Sequence, residues 1–393
     1  MEDADKILWS LHLATLCFFL GMMIISPLIS PFSMSLGASP LIVGVLSSLT
    51  SAVAVILRPI FGLLGDRGLK FKMLMFGCLA SSSAAIIYVA SDRIWIFAAA
   101  RIIHGIASAA FMPSSISTAI DLAPPGRIGE ALGWRSTMFG VSQLLGPGIG
   151  GFLADLWGFN PTFLITFLLS SLSLIIVFHC SRKVNDEKIK NRGQSTSNLK
   201  SLHKILKANF LGAMIAVTFH SMGYSGIFTF LPALYKSLGF GAGIYGLYAS
   251  IQGGVSIFTR AVSGRVADKH GSIPIASLGL ILMLIGYISL NFLYLPPYFI
   301  IPAILFGAGV GLWVPAIQLF ALATLPPEIR GFGSGIYSMA FDLGFLLGPI
   351  ILGYFIEIYN NYSIMLKLLP FFVLAALITL QLVNLIIVKR RLK

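Results

Sequence analysis

Charge is what this sequence has least of. Of its 393 residues 10% are charged and 57% are apolar, with a mean hydropathy of +0.91. Soluble domains carry about 25% charged residues. The 27 basic and 14 acidic side chains are too few to coat a soluble body of 42.3 kDa, so the composition is that of an integral membrane protein. Cysteine is almost as scarce. Cys17, Cys78 and Cys180 sit in or beside apolar runs with no CxxC and no His-Cys cluster, which excludes a disulfide framework and a zinc site. No metal ligation is expected. HExxH, GxSxG and Walker sequences are missing too, and an enzyme is not expected. Gly241-Ala-Gly243-Ile-Tyr-Gly246 has GxGxxG spacing, but it opens an apolar run and follows no strand, so it does not read as a dinucleotide loop. The acidic start Met-Glu-Asp-Ala-Asp and the long run after Lys6 argue against a cleaved signal peptide.

What the sequence has instead is long apolar runs. A helix needs roughly 20 apolar residues to cross the hydrocarbon. Such runs occupy 7–32, 41–64, 73–91, 95–119, 131–154 and 162–180, then 208–234, 243–266, 273–294, 298–322, 332–355 and 363–388. They are continuous rather than alternating, which excludes barrel strands. The predicted architecture is all-α integral membrane, with 12 transmembrane helices in two six-helix bundles. The bundles fall at 1–180 and 208–393, joined by a polar linker at 181–207.

Basic residues gather on one side. Arg67, Lys70 and Lys72, Arg127, the linker cations, Lys269, Arg330 and the tail from Lys389 to Lys393 all fall in loops of the same face. By the positive-inside rule both termini and the linker are cytoplasmic, in a multi-pass protein of the cell membrane. The net charge of +13 is then a topology signal, and nucleic acid is not needed as a partner. The expected surroundings are a lipid bilayer and a small-molecule substrate, with the chain acting as a monomer.

The two halves superimpose at a constant offset of 202 residues. Ser35-Leu36-Gly37 falls on Ser237-Leu238-Gly239, Arg58 on Arg260, Gly62 on Gly264 and Asp66 on Asp268. Gly105 meets Gly307, Pro113 meets Pro315, Gly133 meets Gly335, Gly146-Pro147 meet Gly348-Pro349, and Asp155 meets Glu357. Six helices return the chain to its starting side, so these are parallel repeats about an axis along the membrane normal. Such duplication suits a carrier whose site lies between two halves.

Arg58-Pro59-x-x-Gly62-x-Leu64-x-Asp66-Arg67 resembles the loop signature between the second and third helices of the major facilitator superfamily. Gly264-x-Val266-Ala267-Asp268-Lys269-x-Gly271 resembles its second-half copy. The first copy departs from the pattern, its second glycine being displaced to Gly68. The resemblance implies that Asp66 docks at the start of the eleventh helix near Gly331, and Asp268 at the start of the fifth near Gly129. A carboxylate there would meet exposed amides and the positive end of a helix dipole. Asp121 is expected to pair with Arg58 or Arg67, and Glu328 with Arg260 or Arg265; Arg330 joins this gating set. Arg101-Ile-Ile-His104-Gly105 resembles the Arg-x-x-Gln-Gly motif of proton-coupled drug exporters, with His in place of Gln. Gly140, Gly146, Pro147, Gly150 and Gly151 resemble the fifth-helix motif that marks exporters.

Where the halves differ, substrate or ion handling is expected. Arg101 stands opposite Ala303, His104 opposite Phe306, Asp342 opposite Gly140 and His220 opposite Phe18. His12 stands opposite Met214, Gln143 opposite Phe345 and Gln252 opposite Thr50. Asp342 lies near the bilayer centre, where an ionised Asp costs roughly 2.5–3.5 kcal/mol. That suits a group binding and releasing a proton or sodium ion; no other cofactor is expected. The run 7–32, where related exporters often carry an acid, has neither Asp nor Glu. Helices 1, 4, 7 and 10 line the cavity in the family, which nominates His220, Tyr224, Trp313 and Gln318, with Met22 and Phe111. The expected activity is secondary active transport of a small organic solute by alternating access, as proton-coupled efflux. Uptake by symport or facilitated diffusion of a sugar or metabolite is the alternative. A non-transporting receptor or scaffold explains neither the paired gates nor Asp342.

Overall fold

The computed structural model describes residues 2–124, 127–184, 208–323, 325 and 330–391. Among them the regular structure is entirely helical, because in lipid each backbone N–H and C=O must find its partner within its own segment. The first half holds α1 (Glu2–Ile25), α2 (Ile29–Ser35), α3 (Pro40–Leu64), α4 (Lys70–Val89), α5 (Ile94–Leu122), α6 (Ile128–Trp157) and α7 (Phe159–Lys183). The second holds α8 (Ala208–Ser237), α9 (Ala242–His270), α10 (Ser272–Leu293), α11 (Ile300–Ala323), α12 (Arg330–Tyr359) and α13 (Ile364–Arg391). A 3-10 turn at Ser26–Leu28, with Pro27 removing a ladder donor, joins α1 to α2 as one crossing. The expected twelve crossings are therefore present. Ten are long and apolar enough by length and composition alone. The two that fall short are α6, with Arg135, Gln143 and Asp155, and α9, with Gln252 and Arg260.

The 202-residue offset is visible in backbone geometry. Gly37 and Gly239 both end a helix in the left-handed region, at φ 82° and 84°, where glycine carries no Cβ penalty. Gly158 (φ 84°, ψ −179°) stands where the second half has Asn360 (φ 46°); both have positive φ, and the extended ψ at Gly158 is one that essentially only glycine adopts. Gly68, the displaced glycine of the loop signature, turns the chain at φ 88°.

Helix contacts repeat at the same offset. A Cβ on Gly105 would stand 2.8 Å from the Thr50 carbonyl oxygen, and one on Gly307 would stand 2.5 Å from that of Gln252. Gly77 lets α4 close on Phe111 of α5, and Gly279 lets α10 close on Trp313 of α11. Without side chains at these positions the backbones meet directly, which gives close packing where no hydrophobic drive separates helix from lipid. One contact is inverted rather than copied. In the first half Gly150 of α6 faces Ile24, and its Cβ would stand 2.7 Å from the Ile24 carbonyl carbon. In the second half Leu352 lies over Gly226. The small partner has changed helix, so the exporter-like Gly150 is a packing position against α1.

By contacts the chain divides into two units, Met1–Gln194 with Leu238–Ser250, and Ser195–Ser237 with Ile251–Lys393. The start of α9, within Leu238–Ser250, groups with the first unit. The physical reason is a capped helix end. Asp155 of α6 accepts hydrogen bonds from the Ala242 and Gly243 amides at 2.7 and 2.8 Å, and so fills the positive end of α9. A Cβ on Gly241 would lie 2.5 Å from the Asp155 carboxyl carbon, and one on Gly151 would lie 2.5 Å from the Ala242 carbonyl oxygen. Gly148 N donates to Ser250 Oγ at 3.1 Å. The GxGxxG glycines thus seat a neighbouring helix and its carboxylate. Most of the linker, residues 185–207, lies outside the described residues.

Gly150→Ala should destabilise the purified protein by about 1–3 kcal/mol through overpacking. Gly133→Ala, in α6 with nothing within 4 Å of its added Cβ, should gain about 0.5–1 kcal/mol from helix propensity. Thermal unfolding in detergent, followed by the loss of the monodisperse peak, separates the two; shifts of the same sign would contradict the packing assignment.

Candidate functional site

In the first unit a buried polar group ties α5 to its neighbours. Arg101 donates from Nε to the Leu46 carbonyl at 3.0 Å and from Nη2 to the Ser47 carbonyl at 2.8 Å. Thr50 Oγ1 returns a bond to the Arg101 carbonyl at 3.2 Å. Gly105, one turn along α5, permits the close approach that brings those carbonyls within reach. His104 is bonded through Nδ1 to the Tyr88 hydroxyl at 3.1 Å, between α5 and α4. Both side chains are buried. The geometry makes Arg101 a clamp between α5 and α3, with its guanidinium held by main-chain oxygens.

A second buried guanidinium escaped the sequence analysis. Arg135 of α6 donates from Nε to Ser115 Oγ at 2.9 Å and from Nη2 to the Met112 carbonyl at 3.4 Å. Its guanidinium carbon lies 5.8 Å from the Phe19 ring centre, a cation–π distance. The signal for it existed: Arg135 stands opposite Tyr337 at the same offset that picked out Arg101. Phe111, nominated as a cavity residue, is stacked on Phe18 with centroids 3.8 Å apart and planes 8° apart. It belongs to the unit's buried core, with Met22 packed against that core.

Where α4 begins and α5 ends, Asp121 forms its ion pair with Lys70. The expected partners were Arg58 or Arg67; Lys70 opens α4 beside the end of α5, and its flexible stem lies buried. Arg67 is exposed. The side chains of Asp66, Asp268 and Arg330, and residue Glu328, lie outside the described residues.

In the second unit four sequence-nominated residues come together. His220 and Tyr224 of α8 stack at 6.0 Å, and Trp313 of α11 lies 5.6 Å from His220. Gln252 of α9 faces the Tyr224 hydroxyl. Phe306 and Phe345 each stand 5.7 Å from Tyr224. Both ring nitrogens of His220 are buried without a hydrogen-bond partner, where unmet polar groups cost roughly 1–3 kcal/mol. Arg260 lies by Tyr224 and Tyr337, and its Nε also lacks a partner. The result is an aromatic group carrying imidazole, amide, phenol and guanidinium functions.

Asp342 is buried in α12 and is the one buried carboxylate among the described residues. It lies about 18 Å along that helix from Arg330, at 1.5 Å per residue. α12 meets α8 through Ala340 and Gly344, whose carbonyls accept from Thr218 and Ser225. At 100° per residue Asp342 lies about half a turn round the helix from the midpoint of those two positions. Of the remaining candidates, Gln143 is half-buried and Gln318 exposed. No cluster able to hold a metal occurs among the described residues.

Known proteins show the same organisation. A sequence profile described as Major Facilitator Superfamily matches residues 11–349 and 213–390. A multi-drug resistance efflux pump PmrA homolog of Lactococcus lactis is 26% identical over 347 residues, covering 85% of each chain. Multidrug resistance protein MdtG of Dickeya zeae is 28% identical over 371 residues, covering 89% of each. Among solved structures, a bacterial homolog of the human lysosomal transporter Spinster has a TM-score of 0.76 at 15% identity, with 97% of this chain and 95% of that one covered. Nucleoside transporter NupG has a TM-score of 0.76 at 14% identity, with 96% and 99% covered. With two duplicated six-helix halves, paired loop signatures and a match across nearly its whole length, the chain belongs to the Major Facilitator Superfamily of multi-pass membrane transporters.

Proposed function

We propose that this transporter exports lipophilic organic solutes from the cytoplasm by proton antiport, as a monomer in the cell membrane with both termini inside. The observation that carries the coupling half of this reading is Asp342. It is the single buried carboxylate among the described residues, and it stands where the other half has Gly140. A carboxyl at that depth is cheap when protonated and costs roughly 2.5–3.5 kcal/mol when ionised. It can therefore bind a proton from one side and give it up to the other; sodium is the alternative ion. Export is supported by a relative named as a multi-drug resistance efflux pump and another named as a multidrug resistance protein, at 26% and 28% identity, and by the exporter-like glycines of α6. The fold neighbours do not select a substrate, since their printed names include a nucleoside transporter and a human organic anion transporter.

The substrate is assigned to the aromatic group of His220, Tyr224, Gln252 and Trp313. Flat apolar faces with a few polar functions suit a broad, adaptable pocket. Arg101 is assigned to positioning, because main-chain carbonyls hold its Nε and Nη2; His104 is held through Nδ1 by the Tyr88 hydroxyl, with Nε2 left without a partner. Alternating access would follow from the paired loop signatures, with Asp66 and Asp268 closing the cytoplasmic side.

In proteoliposomes Asp342→Asn should retain counterflow of a preloaded lipophilic cation such as ethidium. It should lose at least tenfold of the accumulation driven by an imposed proton gradient; if uphill accumulation persists, Asp342 is not the coupling group. Trp313→Leu should weaken ethidium binding about tenfold without altering the proton dependence of remaining transport. Arg101→Gln should lower thermal stability by about 1.5–3 kcal/mol, the worth of a charged hydrogen bond. Its relative counterflow rates across a substrate panel should stay unchanged, and a shifted ranking would mean that Arg101 contacts substrate.

A further inference from the structure

At the end of the first unit that bears the N-terminus, a cavity of about 100 Å³ opens between the first turns of α1, the start of α6 and the loop before it. Asp5, Trp9, His12, Arg127, Glu130 and Trp134 line it. None of these residues belongs to the aromatic group of the second unit or to the clamp of Arg101.

Three functions in the walls suit a cation, beside the Arg127 guanidinium that is held by Glu130. The first is aromatic. Trp9 and Trp134 stand 4.8 Å apart with planes at 57°, and they remain 48% and 40% exposed. Their faces and edges are therefore open to a ligand, and indole is the ring that best holds a cation. The second is a carboxylate. Glu130 is already engaged, accepting from Arg127 Nε and Nη2 at 2.7 Å each; that hydrogen bonding holds the Glu130 carboxyl below its ordinary range. Asp5 makes no hydrogen bond or ion pair among the described residues, and lies only within electrostatic range of Arg127. The third is an imidazole. His12 is 1% exposed, both its ring nitrogens lack a partner, and it stands edge-on to Trp9 at 5.6 Å. Neutral imidazole offers one acceptor nitrogen to an incoming N–H. Arg135 lies within electrostatic range of His12 but is bonded to Ser115 and Met112.

Interfacial tryptophans are common at membrane boundaries as anchors. That explains the exposed rings. It does not explain a buried histidine behind them without a hydrogen-bond partner, or a carboxylate beside them that has no ion-pair partner among the described residues. Size narrows the ligand further. Drug-sized molecules occupy pockets of roughly 300–1,000 Å³, so this cavity takes a head group, with the rest of the ligand lying along the exposed Trp edges.

We propose that this pocket binds a primary ammonium head group carried on an apolar body. Asp5 would neutralise the charge, the Trp9 and Trp134 faces would cover it, and His12 would accept one of its N–H bonds. Two sources share that chemistry, an amphiphilic amine from solution and the amino head group of a phospholipid. Binding here requires no gradient, so the proposal stands or falls separately from the direction and coupling of transport.

The test uses the full chain in phosphatidylcholine nanodiscs, with Trp95, Trp157 and Trp313 changed to Phe so that emission reports Trp9 and Trp134. Octylamine should change that emission saturably, with a midpoint at least tenfold below that of octanol. Asp5→Asn should raise the octylamine midpoint fivefold or more and leave octanol unmoved; His12→Phe should do the same. Because Asp5 makes no hydrogen bond or ion pair among the described residues, its variant tests the site even if His12→Phe fails to fold. Equal midpoints for amine and alcohol, or an octylamine midpoint unmoved by Asp5→Asn, would overturn the proposal. Discs containing phosphatidylethanolamine distinguish the sources. A raised octylamine midpoint assigns the site to the lipid head group, and an unchanged one assigns it to soluble amines.

Discussion

Direct contact between helix backbones is the constraint on which the rest of this structure depends. Lipid tails are as apolar as leucine, so helices gain nothing by merely hiding apolar side chains from the bilayer. Glycine removes the spacer, and dispersion contacts and shared carbonyls then become available. Gly105 and Gly307 place their helices on the carbonyls of Thr50 and Gln252, and Gly77 and Gly279 repeat the device one helix over. Only at that range does Arg101 reach the Leu46 and Ser47 oxygens. In water the same guanidinium would be solvated. Here main-chain oxygens take the place of solvent, and a costly ion becomes a clamp.

The duplicated scaffold is also a control for itself. Where the halves agree, the shared cause is mechanical: positive-φ turns at Gly37 and Gly239, and glycine seats between helices. Where they disagree, the cause is either packing or chemistry, and geometry separates the two. Gly150 against Leu352 is packing, because Gly226 supplies on α8 the space that Gly150 supplies on α6. His220 against Phe18 is different. Phe18 lies stacked in a buried core, whereas His220 keeps two polar atoms without partners in an aromatic setting.

Much of the candidate site was legible before any coordinates, and the misses have physical explanations. The offset singled out His220 and Gln252, and the family's cavity helices added Tyr224 and Trp313; the structure brings the four together. The same offset marked Arg101 correctly as unusual but could not tell a ligand-holding guanidinium from a bonded one. Lys70 was counted as a topology charge, yet it is the partner of Asp121, because a flexible stem lets a loop cation reach a helix end. Asp155 was seen only as the mate of Glu357, while its role as the cap of α9 depends on amides 87 and 88 residues away.

Sequence alone determined the helical class, the number of crossings and the duplication. These follow from run length and from register, which are properties of the chain in one dimension. The family signatures are of the same kind, being local spacings of glycine, proline and charge. Tertiary structure alone decided which polar groups are spent and which are left over. Every residue carries a carbonyl, so nothing in the letters at Leu46 and Ser47 announces that they will hold Arg101. Nor does anything at Asp5, Trp9 and His12 announce that Trp134 will complete a pocket around them. Satisfaction of a buried polar group is a contact between distant parts of the chain, and only the packed helices can settle it.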